Sequence, residues 1–281
     1  MTQDAIPSIL KKIVLTKQSE VAAAKLKKDL NDIKAEAERL WQQKTAPRRG
    51  FAKALLSKQE AGQPGIIAEV KKASPSKGII SHNFDPAVIA KQYEQAGAAC
   101  LSVLTDEQYF QGHNDYLQQA KAACHLPVLR KDFMIDAYQI YESYLMGADC
   151  ILLIVACLDD NVLHELHKVA CDLGMDVLIE VHTQQELERA LQLPESAHNI
   201  YGINNRDLNT FNTDLGTSIK LKAYVDNQST RPQLLVTESG IHSTQDMQLM
   251  LNNQISSFLI GEQFMKTDNP GETLASLLNS L

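Results

Sequence analysis

None of the five cysteines (Cys100, Cys124, Cys150, Cys157, Cys171) falls in a C-x-x-C spacing. The odd count and the apolar neighbours point to reduced, buried thiols in a cytoplasmic protein. No apolar run is long enough to cross a bilayer. The longest, CILLIVACL at 150–158, fits a strand buried on both faces. The opening MTQDAIPSILKK has no apolar stretch behind a basic start, so neither a signal peptide nor a membrane partner is expected. Basic excess is missing too: 27 Lys and Arg against 34 Asp and Glu give a net charge of -7. That argues against a nucleic-acid partner, which calls for a basic stripe to meet phosphates. H-E-x-x-H is absent, and HELH at 164–167 does not replace it, so a metal role for His164 and His167 is not expected.

What is present reads as alternation. Residues 4–45 carry strong helix formers without an interrupting glycine, and Pro47 ends them. They are expected to be an N-terminal extension packed on something larger. From residue 65 onward, short apolar runs alternate with helical stretches. The strand candidates are 66–70, 100–104, 127–133, 150–155, 176–181, 199–204, 233–238 and 257–261. Gly97, Gly147 and Gly174 stand between a helix and the next strand, where glycine can stop the helix. Pro127 punctuates similarly. Eight βα units with near-continuous apolar strands predict a parallel sheet covered by helices. The count of eight favours a closed (β/α)8 barrel. An open doubly wound sheet would carry G-x-G-x-x-G after its first strand, and that motif is missing.

The polar residues fall at one end of these strands. Glu69 and Lys71 end the first, Lys131 and Phe133 the third, and Glu180 the fifth. Asn204 and Arg206 end the sixth, Glu238 and Ser239 the seventh, and Gly261 the eighth. Barrel enzymes place reactive side chains at the C-terminal strand ends. A period of two puts Glu69 with Lys71, Lys131 with Phe133, and Asn204 with Arg206 on shared faces. Val70, Ile179 and Val181 then point toward the helices, while Arg130 and Asp132 are expected at the rim. A lone strand-end lysine is ordinarily solvated, and Asn204-Asn205 alone could be turn chemistry. Two lysines, three carboxylates and an asparagine at one end are read as a site. ESGI (238–241) and IGEQFM (260–265) add glycines followed by helices, a pattern suited to phosphate after strands seven and eight. Cys157 reads as core, and the lysine-rich stretch 25–34 as a solvated helix face.

Several stretches together resemble the monofunctional indole-3-glycerol phosphate synthases. They are RRGFAKAL, IIAEVKKASPSKGII, LSVLTDEQYFQG, PVLRKDFMID, GADCILLIV, LIEVHT, GINNRDL, VTESGI and FLIGEQFM, in that order. The resemblance covers essentially the whole chain. E-x-K-x-x-S-P-S and L-x-K-D-F are its most specific parts. It implies a single (β/α)8 domain over 1–281, with 1–48 as its helical extension and no cofactor or metal. The implied reaction is closure of 1-(2-carboxyphenylamino)-1-deoxyribulose 5-phosphate to indole-3-glycerol phosphate, with loss of carbon dioxide and water. The substrate would be an anionic phosphosugar, and no obligate protein partner is inferred.

By that resemblance Lys131 is the acid at the C2′ carbonyl, and Glu180 and Lys71 serve the dehydration in an unassigned division. Glu69 pairs with Lys71, Asn204 holds reacting oxygens or Glu180, and Glu238 completes the polar ring. Phe110, Phe133, Leu152 and Leu208 would sandwich the aromatic ring. Ser74 would meet substrate at the mouth and Arg206 would shape the rim. Lys71, Ser239, Gly240, Gly261 and the backbone of Glu262 would lie at the phosphate. Some members carry Ser where this chain has Glu262, so its side chain is expected to face away. His113 stands where a small residue is expected and is given no role beyond a helix cap. Two rivals stand beside this reading. One is a catalytically silent barrel that binds a phosphosugar. The other is a phosphate-binding barrel such as phosphoribosylanthranilate isomerase, whose expected Cys and Asp pair is not evident.

Overall fold

Strand β1 (Gly65–Val70) is buried throughout, and its two neighbours explain why. The computed structural model describes residues 8–44, 47–228 and 232–281. In it β1 pairs in parallel with β2 (Cys100–Leu104) on one side and β8 (Ser257–Ile260) on the other. Between them run β3 (Val128–Lys131), β4 (Cys150–Ile154), β5 (Asp176–Val181), β6 (Asn199–Asn204) and β7 (Leu235–Glu238). Sequential neighbours pair all the way round, closing an eight-stranded parallel barrel. Helices lie between successive strands, so this is a (β/α)8 barrel.

Period-two alternation sorts the strand residues into two cores. Ile67, Leu129, Leu152, Leu178, Ile200, Val236 and Leu259 pack in the barrel interior. Val70, Ile179 and Val181 pack under the helices. α3 (Phe51–Glu60) closes the far end, inserting Phe51 and Leu55 into the interior core. Gly97, Gly147 and Gly174 all take positive φ (92°, 95° and 68°), and Gly147 caps its helix by donating to Ser143 and Tyr144 carbonyls.

The N-terminal segment departs from one unbroken helix. α1 (Ser8–Lys27) ends at a turn, and Asp29 caps α2 (Leu30–Gln43) by accepting from the Asn31 N–H. An aspartate competes for backbone donors and so starts a helix as well as glycine or proline stops one. Residues 4–7 and 45 of the expected helix lie outside the described residues. The lysine-rich stretch is not simply a solvated face. Lys25 reaches Asp136 at 2.7 Å, tying α1 to the barrel, and Lys28 pairs with Glu36.

Arg130 and Asp132 are not at the rim; they are 4% and 3% exposed. They leave β3 on its outer face, which the helix Ala137–Met146 and α1 cover. Arg130 donates to Thr105 and Ser143 and pairs with Glu142 at 2.7 Å. Asp132 accepts from Thr105 at 2.6 Å. Charges on that face survive burial because each finds a partner. Among the described residues no helix is long and apolar enough to cross a membrane.

Candidate active site

At the C-terminal end of the barrel one cavity is bordered by every residue singled out from the sequence as a site candidate. Its floor is the last inward residue of each strand. β1 supplies Glu69, with Lys71 one residue beyond the strand. β3 ends on Lys131, β6 on Asn204 and β7 on Glu238, and Glu180 is the last inward residue of β5. β2 and β4 contribute Leu104, Leu152 and Ile154 instead. The cavity therefore has a charged side and an apolar side. Phe133, Arg206 and Ser239 lie just past their strands rather than in them. Phe110 sits in the short helix Glu107–Phe110 after β2, with its ring 6.0 Å from that of Phe133. Ser74 belongs to a small hairpin, Ala73–Ser74 with Gly78–Ile79, that the sequence did not reveal.

The charged side is a connected ring. Lys131 Nζ stands 2.7 Å from Glu238 Oε2 and 3.2 Å from Glu180 Oε2. Asn204 Nδ2 donates to Glu180 Oε1 at 3.2 Å, and Ser239 Oγ donates to Asn204 Oδ1 at 2.9 Å. Lys71 pairs with Glu69. Two glycines make room for two carboxylates. A Cβ on Gly202 would collide with Glu238 Oε1, and one on Gly261 would sit 2.9 Å from Glu69 Cβ.

Burial opposes charge, and the ring decides each outcome. Burial alone would lower the Lys131 pKa, but Glu238, Glu180 and Glu69 outweigh it and hold the ammonium above its ordinary value. Burial would raise Glu180, but Lys131 and His182 outweigh it and keep it ionised. Glu238 goes the other way: burial, with the Glu180 charge beside it, lifts it above the usual carboxylate range despite Lys131. Its Oε1 is buried without a hydrogen-bond partner among the described residues, as is Ser74 Oγ.

The anion end differs in detail from expectation. Ser239 and Gly240 both have positive φ, 65° and 86°. The helix after β7 begins not at Gly240 but after three intervening residues. It starts at Thr244, and its own capping box uses Ser243 and Asp246. A one-turn helix, Glu262–Met265, follows Gly261 directly. The Glu262 carboxylate, 13% exposed, is held by three cations, Lys266 (2.7 Å), Arg206 (3.3 Å) and Lys77 (3.9 Å). Burial would raise its pKa, but Lys266, Lys77 and Arg206 outweigh that and hold it low.

Sequence reasoning missed two contributions. Ile9, Leu10 and Ile13 of α1 also border the cavity. His182, just past β5, contacts Glu180 Oε1 through Nε2 at 3.3 Å and Glu186 through Nδ1 at 3.2 Å. Its parity with Glu180 was a usable signal; the α1 contacts had none. The other candidates stay outside the site. His113 caps the helix Asn114–Ala123 by accepting from the Asp115 N–H. His167 is buried against Asn199 at 2.6 Å. Cys157 is half-buried beside the core. Among the described residues no three His, Cys, Asp or Glu side chains are grouped to hold a metal.

Comparison with known proteins bears on this geometry. The model of the family "Indole-3-glycerol phosphate synthase" matches residues 10–277. Proteins of that name from Polynucleobacter asymbioticus and Acinetobacter baylyi are 54% and 51% identical to this chain. Each alignment covers 96% of this chain, and 98% and 95% of the respective relative. Among solved structures, the tryptophan synthase alpha subunit of Legionella pneumophila is 14% identical with a TM-score of 0.59, covering 84% of this chain and 97% of that one. A 3-hexulose-6-phosphate synthase is 11% identical with a TM-score of 0.57, covering 77% and 99%. These two share the fold alone.

Proposed function

The chain belongs to the indole-3-glycerol phosphate synthase family, and from that premise we propose how its cavity performs the reaction. The substrate, 1-(2-carboxyphenylamino)-1-deoxyribulose 5-phosphate, joins an aromatic acid to a phosphosugar. Its aromatic end lies against Phe110, Phe133, Leu152 and Leu208. Its phosphate meets the Ser239–Gly240 turn and the Gly261–Glu262 backbone, with Lys71 nearby. The C2′ carbonyl then falls over the charged ring.

One observation supports this reading most: an ammonium, Lys131, stands between the buried Glu180 and Glu238 carboxyl groups on the floor of a half-apolar cavity. As the ring carbon attacks C2′, charge develops on the carbonyl oxygen, and Lys131 polarises and protonates it. Loss of carbon dioxide restores aromaticity without a further proton donor. Departure of the C2′ hydroxyl as water needs an acid, and removal of the neighbouring proton needs a base; Lys71 and Glu180 serve these roles. Glu69 orients Lys71, and Asn204 orients Glu180. Glu238 accepts a hydrogen bond from Lys131 at the floor and fixes the ammonium in place. Ser74 contacts substrate at the mouth, and Arg206 shapes the rim.

The test is direct. Purified protein supplied with this substrate and no added metal yields indole-3-glycerol phosphate, read by indole fluorescence. Lys131→Ala should lower kcat by at least ~10²-fold, the usual scale for an acid–base residue. A folded Lys131→Ala variant with near-normal kcat would remove that lysine from its role.

A further inference from the structure

Lys17 does not border the cavity, yet it is 3% exposed in the middle of α1. Its ammonium stands 2.9 Å from Asp106 Oδ2 and 3.0 Å from Asp132 Oδ1, with Glu20 at 2.7 Å on its own helix. Burial alone would lower its pKa, but Asp132 and Asp106 outweigh that and keep it charged.

Both aspartates are already engaged in shaping the loops they sit in. Asp106 Oδ1 caps the short helix after β2, accepting from Tyr109 N–H at 2.7 Å and Phe110 N–H at 3.2 Å. Asp132 Oδ1 accepts from the Phe133 N–H at 2.8 Å, and Oδ2 from Thr105 at 2.6 Å. One carboxylate therefore fixes the backbone of Phe110, and the other that of Phe133. Lys17 is the cation common to the two. A neighbouring tie runs the same way: Thr16 Oγ1 lies 2.8 Å from Tyr109 Oη.

The same helix face reaches the cavity. Ile9 and Ile13, which border it, stand eight and four residues before Lys17 and so share its side of α1. A buried ion pair is weak evidence for stability, because desolvation offsets its attraction. Its better-attested use is to fix register between elements. Here the register is between α1 and the two loops that carry the facing phenylalanines.

We propose that Lys17 is a positioning residue: from α1 it holds the Phe110 and Phe133 loops at a fixed separation and so sets affinity for the aromatic part of the substrate. This rests on the reading of Phe110 and Phe133 as the aromatic slot. Two simple inhibitors separate the slot from the rest of the cavity, 2-aminobenzoate for the ring and inorganic phosphate for the anion end. In the full-length enzyme, Lys17→Met should raise the 2-aminobenzoate Ki about tenfold. It should leave the phosphate Ki within about twofold, as expected for distant sites. Lys17→Arg should restore most of the loss. If Lys17→Met does not fold, Lys17→Gln, which removes the charge and shortens the reach but leaves a polar group at the site, carries the same comparison. Parallel loss of both affinities, or loss of neither, would overturn the proposal. Phe133→Ala serves as the control. If it leaves the 2-aminobenzoate Ki unchanged, the slot itself fails and the latch with it. If Phe133→Ala weakens 2-aminobenzoate and the Lys17 variants do not, only the latch fails.

Discussion

Three side chains converge on the Glu180 carboxylate: Lys131, Asn204 and His182. His182 makes a charge contact there rather than an aligned hydrogen bond. Burial would lower its pKa, but Glu180 and Glu186 outweigh it and raise it to about 10. An imidazolium is thus held beside the Glu180 carboxylate, keeping it ionised. The linkage has a definite sign. The folded protein keeps a proton on His182 that the unfolded chain releases near the ordinary value of 6.5. Stability from this contact is fully present below that value and is lost as pH rises through the folded value. Urea unfolding of wild type and His182→Asn across this range should show the gap largest at the acidic end and shrinking toward the alkaline end. A gap independent of pH would mean a neutral imidazole.

At the scale of elements, α1 is a wall as well as a strap. Leu10 is 2% exposed and borders the cavity while packing on the interior core. Leu10→Ala should cost roughly 3 kcal/mol of stability, the usual range for a buried leucine. It should raise KM more than it lowers kcat; thermal unfolding and steady-state kinetics read the two effects. The strands were legible because each is a short apolar run with a fixed parity, and the barrel followed from their number. Strand-end chemistry was legible for the same reason: Glu69, Lys131, Glu180, Asn204 and Glu238 each break an apolar run at one end. What α1 does was not legible. Its lysines look alike in sequence, yet Lys17 is buried and Lys12 is exposed. That difference depends on which distant surface covers each residue. Arg130 and Asp132 were misplaced for the same reason, since period two gives a face and not what covers it. The break at Asp29 is hidden because neither glycine nor proline marks it; the aspartate itself starts the second helix.

Across the whole molecule the two barrel ends carry different duties. At the end away from the cavity, Asp149 is fully buried. It accepts from the Arg49 and Val128 N–H groups at 2.8 and 2.9 Å and pairs with Lys121 at 2.6 Å. There α3 is fastened, with Asp176 accepting from the Ala52 N–H at 2.9 Å. Contacts at this end of the barrel serve stability and not chemistry. Asp149→Asn should therefore destabilise by about 3 kcal/mol, the scale of a broken buried pair. Its kcat and KM should stay near wild type, and a large fall in kcat in the folded variant would contradict this division of the barrel. The active end has its own consequence. Lys131 is already matched by two carboxylates before any substrate arrives. A carbonyl oxygen that reaches it exchanges partners and gains little net polar enthalpy. Between the floor and the aromatic side, the gain then comes from covering the substrate's aromatic ring and releasing its hydration water, which gives binding a negative heat capacity change.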